Sequence, residues 1–275
     1  MAQRWLITGC SSGLGRALAI KLAEAGEKVI ATARRPETID DLARRYSGTL
    51  VTGALDVREP AQCQAAVDLA VDCFGGVDVL VNNAGYGQFG AVEEVSDAEL
   101  AAQFETNVFG PWRLTRAVLP LWREQESGHA IFVSSLAGFM PFPGLAAYTS
   151  SKFALEGLAE SLAVEAAHLG VRVTIMQPGG FATAYGDSLV EPDRHVVDYE
   201  PAISGMLVGL RGIRDLPAIN EPELFAEVVL RVARMQLPPL RLPVGPESET
   251  YLSAVYAARL QEFEAMTKAG HHVAR

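Results

Sequence analysis

Tyr148 and Lys152 are spaced to meet on one face of a helix, and Ser135 lies thirteen residues before the tyrosine. Side chains four residues apart on a helix are neighbours, with Cβ atoms roughly 5–6 Å apart. A free phenol titrates near pH 10, too high to exchange protons readily at neutral pH. A positive charge about 4 Å away, at an effective dielectric of about 20, contributes roughly 4 kcal/mol, or about three pKa units. That shift makes Tyr148 a working acid and base. The lysine is informative because the chain holds 19 arginines and only four lysines.

A second group of residues suits an anionic ligand. Thr8-Gly9-Cys10-Ser11-Ser12-Gly13-Leu14-Gly15 follows a strand-like run and opens a helical one. Glycines there permit positive φ and let backbone amides approach a pyrophosphate, whose charge a helix N-terminus favours. About twenty residues further on, an NAD-preferring site places a carboxylate against the ribose 2′-hydroxyl. This chain has Arg34 and Arg35 instead, two guanidinium forks suited to a 2′-phosphate. The alternative is that both arginines are solvated and paired with Glu37, Asp40 and Asp41. NADP(H) is the expected cofactor, in preference to NAD(H).

The elements that must position these groups follow from periodicity. Strand-like runs are Arg4–Thr8, Lys28–Ala33, Leu50–Ala54, Val77–Asn82, His129–Ser134 and Val171–Gln177. Between them, Leu14–Ala25, Glu37–Tyr46, Pro60–Phe74, Asp97–Arg123 and Tyr148–His168 carry apolar residues at helical spacing. Such alternation predicts a single α/β domain, a Rossmann-like doubly wound parallel sheet with helices on both faces. Residues 185–220 break the rhythm with four glycines and three prolines, allow a short helix at Ala202–Leu210, and are expected to form a substrate lid or binding loop. A helix (Pro222–Gln236), a strand (Leu240–Val244) and a last helix (Glu247–Lys268) complete the pattern.

At the carboxyl ends of the strands, Thr8–Gly15, Asn82–Val92, Ser134–Tyr148 and Gln177–Gly186 all lack charged side chains. Four uncharged loops on one sheet edge predict a lined crevice, where ligands of open parallel sheets bind. Leu136, Phe139, Met140, Phe142, Leu145, Phe181 and Tyr185, with Phe89 on a neighbouring loop, give it apolar walls. Such walls favour a hydrophobic ketone, aldehyde or alcohol.

Composition excludes other classes. At 49% hydrophobic and 20% charged, the 275 residues can bury a substantial core. A net charge of −10 argues against nucleic acid as a partner. Ser127–Ser151 has no charged residue, but its prolines, glycines and serines argue against a membrane span. Cys10, Cys63 and Cys73 are too few and too scattered for a disulfide framework or zinc cluster. A strand-like segment starts so early that a signal peptide is not expected, and a reducing, cytoplasmic setting is.

With these residues together, the chain resembles the short-chain dehydrogenase/reductase family. The resemblance runs from residue 4 to about 183 through Thr8–Gly15, Asp56, Asn82-Asn83-Ala84-Gly85, Asn107, Ser135, Tyr148, Lys152 and Pro178-Gly179. It implies that Gly9, Ser11, Ser12, Gly13, Leu14 and Gly15 hold the cofactor, and that Asp56 bonds its adenine beside Val57. Asn83, Ala84 and Gly85 would support it, while Thr183, after Pro178 and Gly179, would contact the carboxamide. Tyr148 would protonate the carbonyl oxygen, Lys152 would lower its pKa and hold the ribose, and Ser135 would orient the substrate. Asn107 would anchor a water in the proton relay. No metal is implied. The end of the chain is more loosely similar to hydroxysteroid- and retinol-dehydrogenase-like members.

The expected function is reversible hydride transfer between a carbonyl and an alcohol on a lipophilic small molecule. The alternatives are a 3-ketoacyl-thioester reductase and a non-catalytic NADP(H)-binding sensor or scaffold. The apolar faces of Asp97–Arg123 and Tyr148–His168 are expected to pair subunits into a homodimer or homotetramer.

Overall fold

The computed structural model describes residues 2–273. The β-branched runs form strands β1 (Arg4–Ile7), β2 (Lys28–Ala33), β3 (Leu50–Ala54), β4 (Val79–Asn82), β5 (Gly128–Val133), β6 (Val171–Pro178) and β7 (Arg241–Val244). Every pairing is parallel, in the order β3-β2-β1-β4-β5-β6-β7. The chain winds outward from β1 to β3, then returns to lay β4 on the other side of β1. That reversal opens a crevice at the carboxyl ends of β1 and β4.

The helices are α1 (Gly13–Glu24), α2 (Asp40–Arg45), α3 (Pro60–Phe74), α4 (Asp97–Phe104), α5 (Gly110–Gln125), α6 (Ala146–Glu165), α7 (Glu200–Arg211), α8 (Pro222–Ala233) and α9 (Pro246–Val273). Alternate strand residues feed two cores, one on each sheet face. Trp5 and Ile7 of β1 join Leu18 and Leu22 of α1 and Phe225 and Val229 of α8. Leu6, between them, joins Val67 of α3, Leu114 of α5 and Leu155 of α6 on the opposite face. The fold is the expected Rossmann-like α/β sandwich, with one parallel sheet between helical layers.

Two segments differ from the sequence-based expectation. Asp97–Arg123, read as one helix, is α4, one π-helical turn at Glu105–Phe109, and then α5. A π turn inserts an extra residue into the helical ladder, which apolar periodicity does not reveal. The start of α4 is a capping box. Ser96 Oγ accepts from the Glu99 amide (3.3 Å) while Glu99 Oε2 accepts from the Ser96 amide (2.7 Å).

The segment 185–220 is more ordered than its glycines and prolines predict. It contains α7, whose Ile203, Met206, Leu207 and Leu210 pack with Phe89, Leu145, Tyr148 and Leu189 in a third apolar cluster. Polar contacts hold the segment to residues 93–94. Arg194 pairs with Glu93 at 2.8 Å, the Val196 amide donates to buried Glu94 at 2.9 Å, and His195 bridges Glu94 and Glu200. Among the described residues, no helix is long and apolar enough to cross a membrane, and no cluster of side chains could hold a metal.

Candidate active site

The four uncharged loops meet around one cavity of about 680 Å³. At its β1 end the chain leaves Ile7 and turns at Gly9, with φ +72°. A Cβ at Gly9 would come within 2.9 Å of Ala84 Cα, so the loop can only lie this close to β4 without a side chain. Asn83 fixes the approach, its Nδ2 donating to the carbonyls of Thr8 (2.8 Å) and Gly9 (3.2 Å). Thr8 Oγ1 accepts from the amides of Asn83 (2.9 Å) and Ala84 (2.8 Å). α1 then starts at Gly13 without a side-chain cap or an acidic residue in its first turn. Its free amides and positive end face the cavity, the arrangement that receives a phosphate.

Ser11, Ser12, Gly13 and Leu14 line the cavity, whereas Gly15 lies beneath, against Asn83 and the Gly9 carbonyl. Asp56 and Val57 line the far side, joined by Arg34 and by Arg58, which sequence reading missed. Asp56 accepts from Arg58 Nη2 at 2.6 Å, and that hydrogen bond holds its carboxyl below the usual range. Neither Arg34 nor Arg35 forms an ion pair among the described residues; Asp41 is taken by Arg16 instead. Arg35 does not reach the cavity wall, so the pair of forks facing this end is Arg34 and Arg58. The signal for Arg58 was its spacing, two residues beyond Asp56. Cys10 is fully buried, and burial pushes its thiol up to about 12, a packing residue in chemical terms.

At the centre of the cavity, α6 presents Tyr148 and Lys152 one turn apart, and Ser135 follows β5. Ser135 Oγ also accepts from the Ala137 amide at 3.1 Å, which caps the turn Leu136–Gly138. Lys152 meets Tyr148 across one helical turn, but its ammonium is turned to the end of β5. Its Nζ donates to the Val133 carbonyl at 2.8 Å and lies 5.6 Å from the Tyr148 ring centroid. Burial, not the lysine, dominates the phenol and raises its pKa above the ordinary value. The hydroxyls of Ser135 and Tyr185 draw it partway back without a well-formed hydrogen bond; Tyr185 Oη is buried and unpartnered. Lys152 is itself lowered to about 8 by burial, with the Glu156 carboxylate opposing that fall.

Asn107 sits in the π turn behind this pair and lines no part of the cavity. Its Nδ2 donates to the Tyr86 carbonyl (3.0 Å) and Ser151 Oγ (3.1 Å), and its Oδ1 accepts from the Tyr86 amide (3.2 Å). Those bonds tie the loop after β4 to α6. Pro178, Gly179 and Thr183 line the cavity after β6, and Thr183 reaches over Gly13.

Of the expected apolar wall, Leu136, Phe142, Leu145, Phe181 and Tyr185 line the cavity. Phe89 packs behind it in the lid cluster. Phe139 is turned away, stacked 4.3 Å from the Tyr256 ring of α9 and under Arg259 at 4.2 Å. Sequence reading missed the lid's contribution, Met206 and Leu210 from α7 and Ile213 beyond it. Their four-residue spacing was a usable signal.

Behind the site lies a buried polar cluster that sequence reading also missed. Glu156, one turn beyond Lys152, accepts from Ser134 Oγ at 2.7 Å and from Gln177 Nε2 at 3.0 Å. Arg241 of β7 completes it at 3.3 Å. Ser134 therefore points away from Ser135, as strand alternation requires.

The sequence matches the family model for short chain dehydrogenases over residues 3–194. It is 38% identical to the oxidoreductase BOA17 of Botryotinia fuckeliana over 252 residues, covering 91% of this chain and 92% of that one. It is 34% identical to a 3-ketodihydrosphingosine reductase of Bacteroides thetaiotaomicron, covering 88% and 87%. Among solved structures, a short-chain dehydrogenase from Streptomyces avermitilis superposes with a TM-score of 0.89 at 35% identity, over 98% and 97% of the chains. A Burkholderia phymatum member in complex with NAD has a TM-score of 0.82 at 25% identity, over 96% and 95%. An alcohol dehydrogenase from Thermococcus sibiricus complexed with 5-hydroxy-NADP has a TM-score of 0.73 at 25% identity, over 89% and 96%. A glycine turn under β4, a tyrosine and lysine one turn apart on α6, and these likenesses along most of the chain lead to one conclusion: the protein is an oxidoreductase of the short-chain dehydrogenase/reductase family.

Proposed function

We propose that the protein interconverts a lipophilic ketone or aldehyde and its alcohol, with NADP(H) as cofactor and Tyr148 as the acid and base. The observation that carries this reading is the single cavity, which joins a phosphate-receiving turn, a buried Tyr148–Ser135–Lys152 centre and an apolar lobe under α7. The cradle fits a dinucleotide, because the uncapped start of α1 at Gly13 and Leu14 lines the cavity beside Ser11 and Ser12 with no acidic residue in its first turn. Gly9 and Ser11–Leu14 would hold its phosphates, Asp56 and Val57 its adenine, and Asn83–Gly85, Lys152, Pro178, Gly179 and Thr183 its other half. When bound, the nicotinamide supplies the hydride in reduction and receives it in oxidation.

The residues of the chain handle the proton and the substrate. Burial keeps Tyr148 protonated, the form that donates to a carbonyl oxygen in reduction. Ser135, beside it, is the second hydroxyl for that oxygen. Lys152 holds a positive charge at the Val133 carbonyl, and Asn107 secures the loop that closes the site. Arg34, which lines the cavity and forms no ion pair among the described residues, supports NADP(H), since a free guanidinium favours a 2′-phosphate over a bare hydroxyl; Arg58 beside it is engaged with Asp56. The thioester alternative needs basic docking surface at the cavity mouth. The arginines of the lid, Arg194, Arg211 and Arg214, are each paired with a carboxylate.

Titration with NADPH and NADH at fixed salt tests the cofactor. NADPH should bind tighter by about tenfold or more, equivalent to about 1.4 kcal/mol. Equal affinity would mean the arginines do not read the 2′ position. Tyr148→Phe should cut turnover of medium-chain ketones by about 10²–10⁴-fold while NADPH still binds. Retained turnover in that variant overturns the mechanism.

A further inference from the structure

The chain leaving β6 lines the cavity from Pro178 to Phe181 and again at Thr183. Its amides and carbonyls have left the sheet ladder and need other partners. Those partners come from far along the chain. The Gly179 amide donates to the Val244 carbonyl at 3.0 Å, and the Ala182 amide to the Asn220 carbonyl at 2.9 Å. Between them, the Gly180 amide donates to Glu247 Oε1 at 2.8 Å, while Asn220 Nδ2 donates to the Gly180 carbonyl at 2.8 Å. Asn220 Nδ2 also donates to Glu247 Oε1, at 2.7 Å, so the two side chains grip Gly180 on both of its polar groups.

Glycines make the room for this grip. A Cβ at Gly179 would overlap Glu247 Oε1, and one at Gly245, whose φ is +97°, would lie 2.7 Å from Asn220 Nδ2. A glutamate in the first turn of α9 suits the helix dipole, which explains its charge but not its aim. Its Oε1 takes donors 27 and 67 residues away in sequence, one of them in the cavity wall. Phe181 gives the same segment a separate apolar anchor, edge-on to Phe225 with ring centroids 6.2 Å apart. Loss of the polar grip therefore leaves the core contact in place.

We propose that Glu247 and Asn220 are positioning residues for the nicotinamide half of the cofactor, a role that rests on the cofactor reading above. Neither side chain lines the cavity, so both act through the backbone of 178–183. They fix Gly180, and with it the flanking Gly179 and Thr183, before the ligand arrives, which spares the cost of ordering that segment on binding. The glycine turn after β1 takes no hydrogen bond from either residue. The effect of the grip is accordingly confined to one half of the dinucleotide.

The test compares NADPH, titrated by nucleotide fluorescence, with 2′-phospho-ADP-ribose, which lacks the nicotinamide and is read by its displacement of NADPH. Glu247→Ala should weaken NADPH about tenfold and 2′-phospho-ADP-ribose by less than about twofold. Glu247→Gln keeps the accepting oxygen and should stay within about threefold of the wild type for NADPH. Unchanged NADPH affinity in Glu247→Ala, equal weakening of both ligands, or a Gln variant as weak as Ala overturns the proposal. Should Glu247→Ala not fold, Asn220→Ala, which retains the backbone bond to Ala182, carries the same comparison with the same selective loss expected. If the 2′ position proves unread, NADH and ADP-ribose replace the pair. A wild type that binds neither nucleotide sinks the cofactor reading, and this proposal with it.

Discussion

At the scale of single residues, the charge state of Lys152 is the quantity most exposed to test. Burial lowers it to about 8, and the Glu156 carboxylate, one turn on, holds it from falling further. Lysine is charged below its pKa, so turnover should decline as pH rises through about 8. Glu156→Gln removes the supporting charge and keeps the shape, and the alkaline limb should move about one unit toward lower pH. An unmoved limb with an unchanged thermal midpoint would show that Glu156 only packs. Arg34→Ala should weaken NADPH about tenfold and NADH hardly at all, measured by the same fluorescence titration. The types and order of Tyr148, Lys152, Ser135 and the glycines were legible in the sequence. The direction of the Tyr148 shift was not, since it depends on desolvation and on Lys152 turning to the Val133 carbonyl.

At the scale of elements, the lid is decided by one close contact. Gly186 packs so tightly on α7 that a Cβ there would overlap the Leu210 carbonyl. Gly186→Ala should lift the helix that carries Met206 and Leu210 into the cavity. Overpacking of this kind costs about 1–3 kcal/mol, so the thermal midpoint should fall by several degrees, and KM for apolar ketones should rise severalfold. NADPH affinity should hold, because the glycine turn lies at the other end. The π turn that seats Asn107 belongs to this scale too. Its flanks read as one continuous helix in sequence, because each carries apolar residues at helical spacing and a single extra residue between them leaves both patterns intact.

At the scale of the whole molecule, large apolar side chains stand exposed on two neighbouring helical segments. Trp112 of α5 is 52% exposed and Phe109 just before it 45%, with Phe153 of α6 at 40%. Trp5 and Trp122, by contrast, are fully buried. Exposed aromatic side chains of this size suit an interface, and self-association across α5 and α6 is the expected use. Sedimentation should give a dimer or tetramer for the wild type and a shift toward monomer for Trp112→Glu combined with Phe153→Glu. A monomeric wild type sinks this expectation.

Local patterning by itself determined the order of strands and helices, the glycine turn, the tyrosine–lysine spacing and the uncharged loops. Each of these is a short-range property, carried by residues within a turn or a strand of one another. Only the tertiary structure decided which side chains share the cavity. It brought Arg58 in and left Arg35 out, sent Phe139 to Tyr256 on α9, and turned Met206 and Leu210 of the short lid helix into the cavity. It also placed Glu156, Gln177 and Arg241, from α6, β6 and β7, in one buried cluster behind Lys152. Such meetings join residues tens of positions apart, and burial and desolvation, which set their chemistry, exist only once the chain has packed.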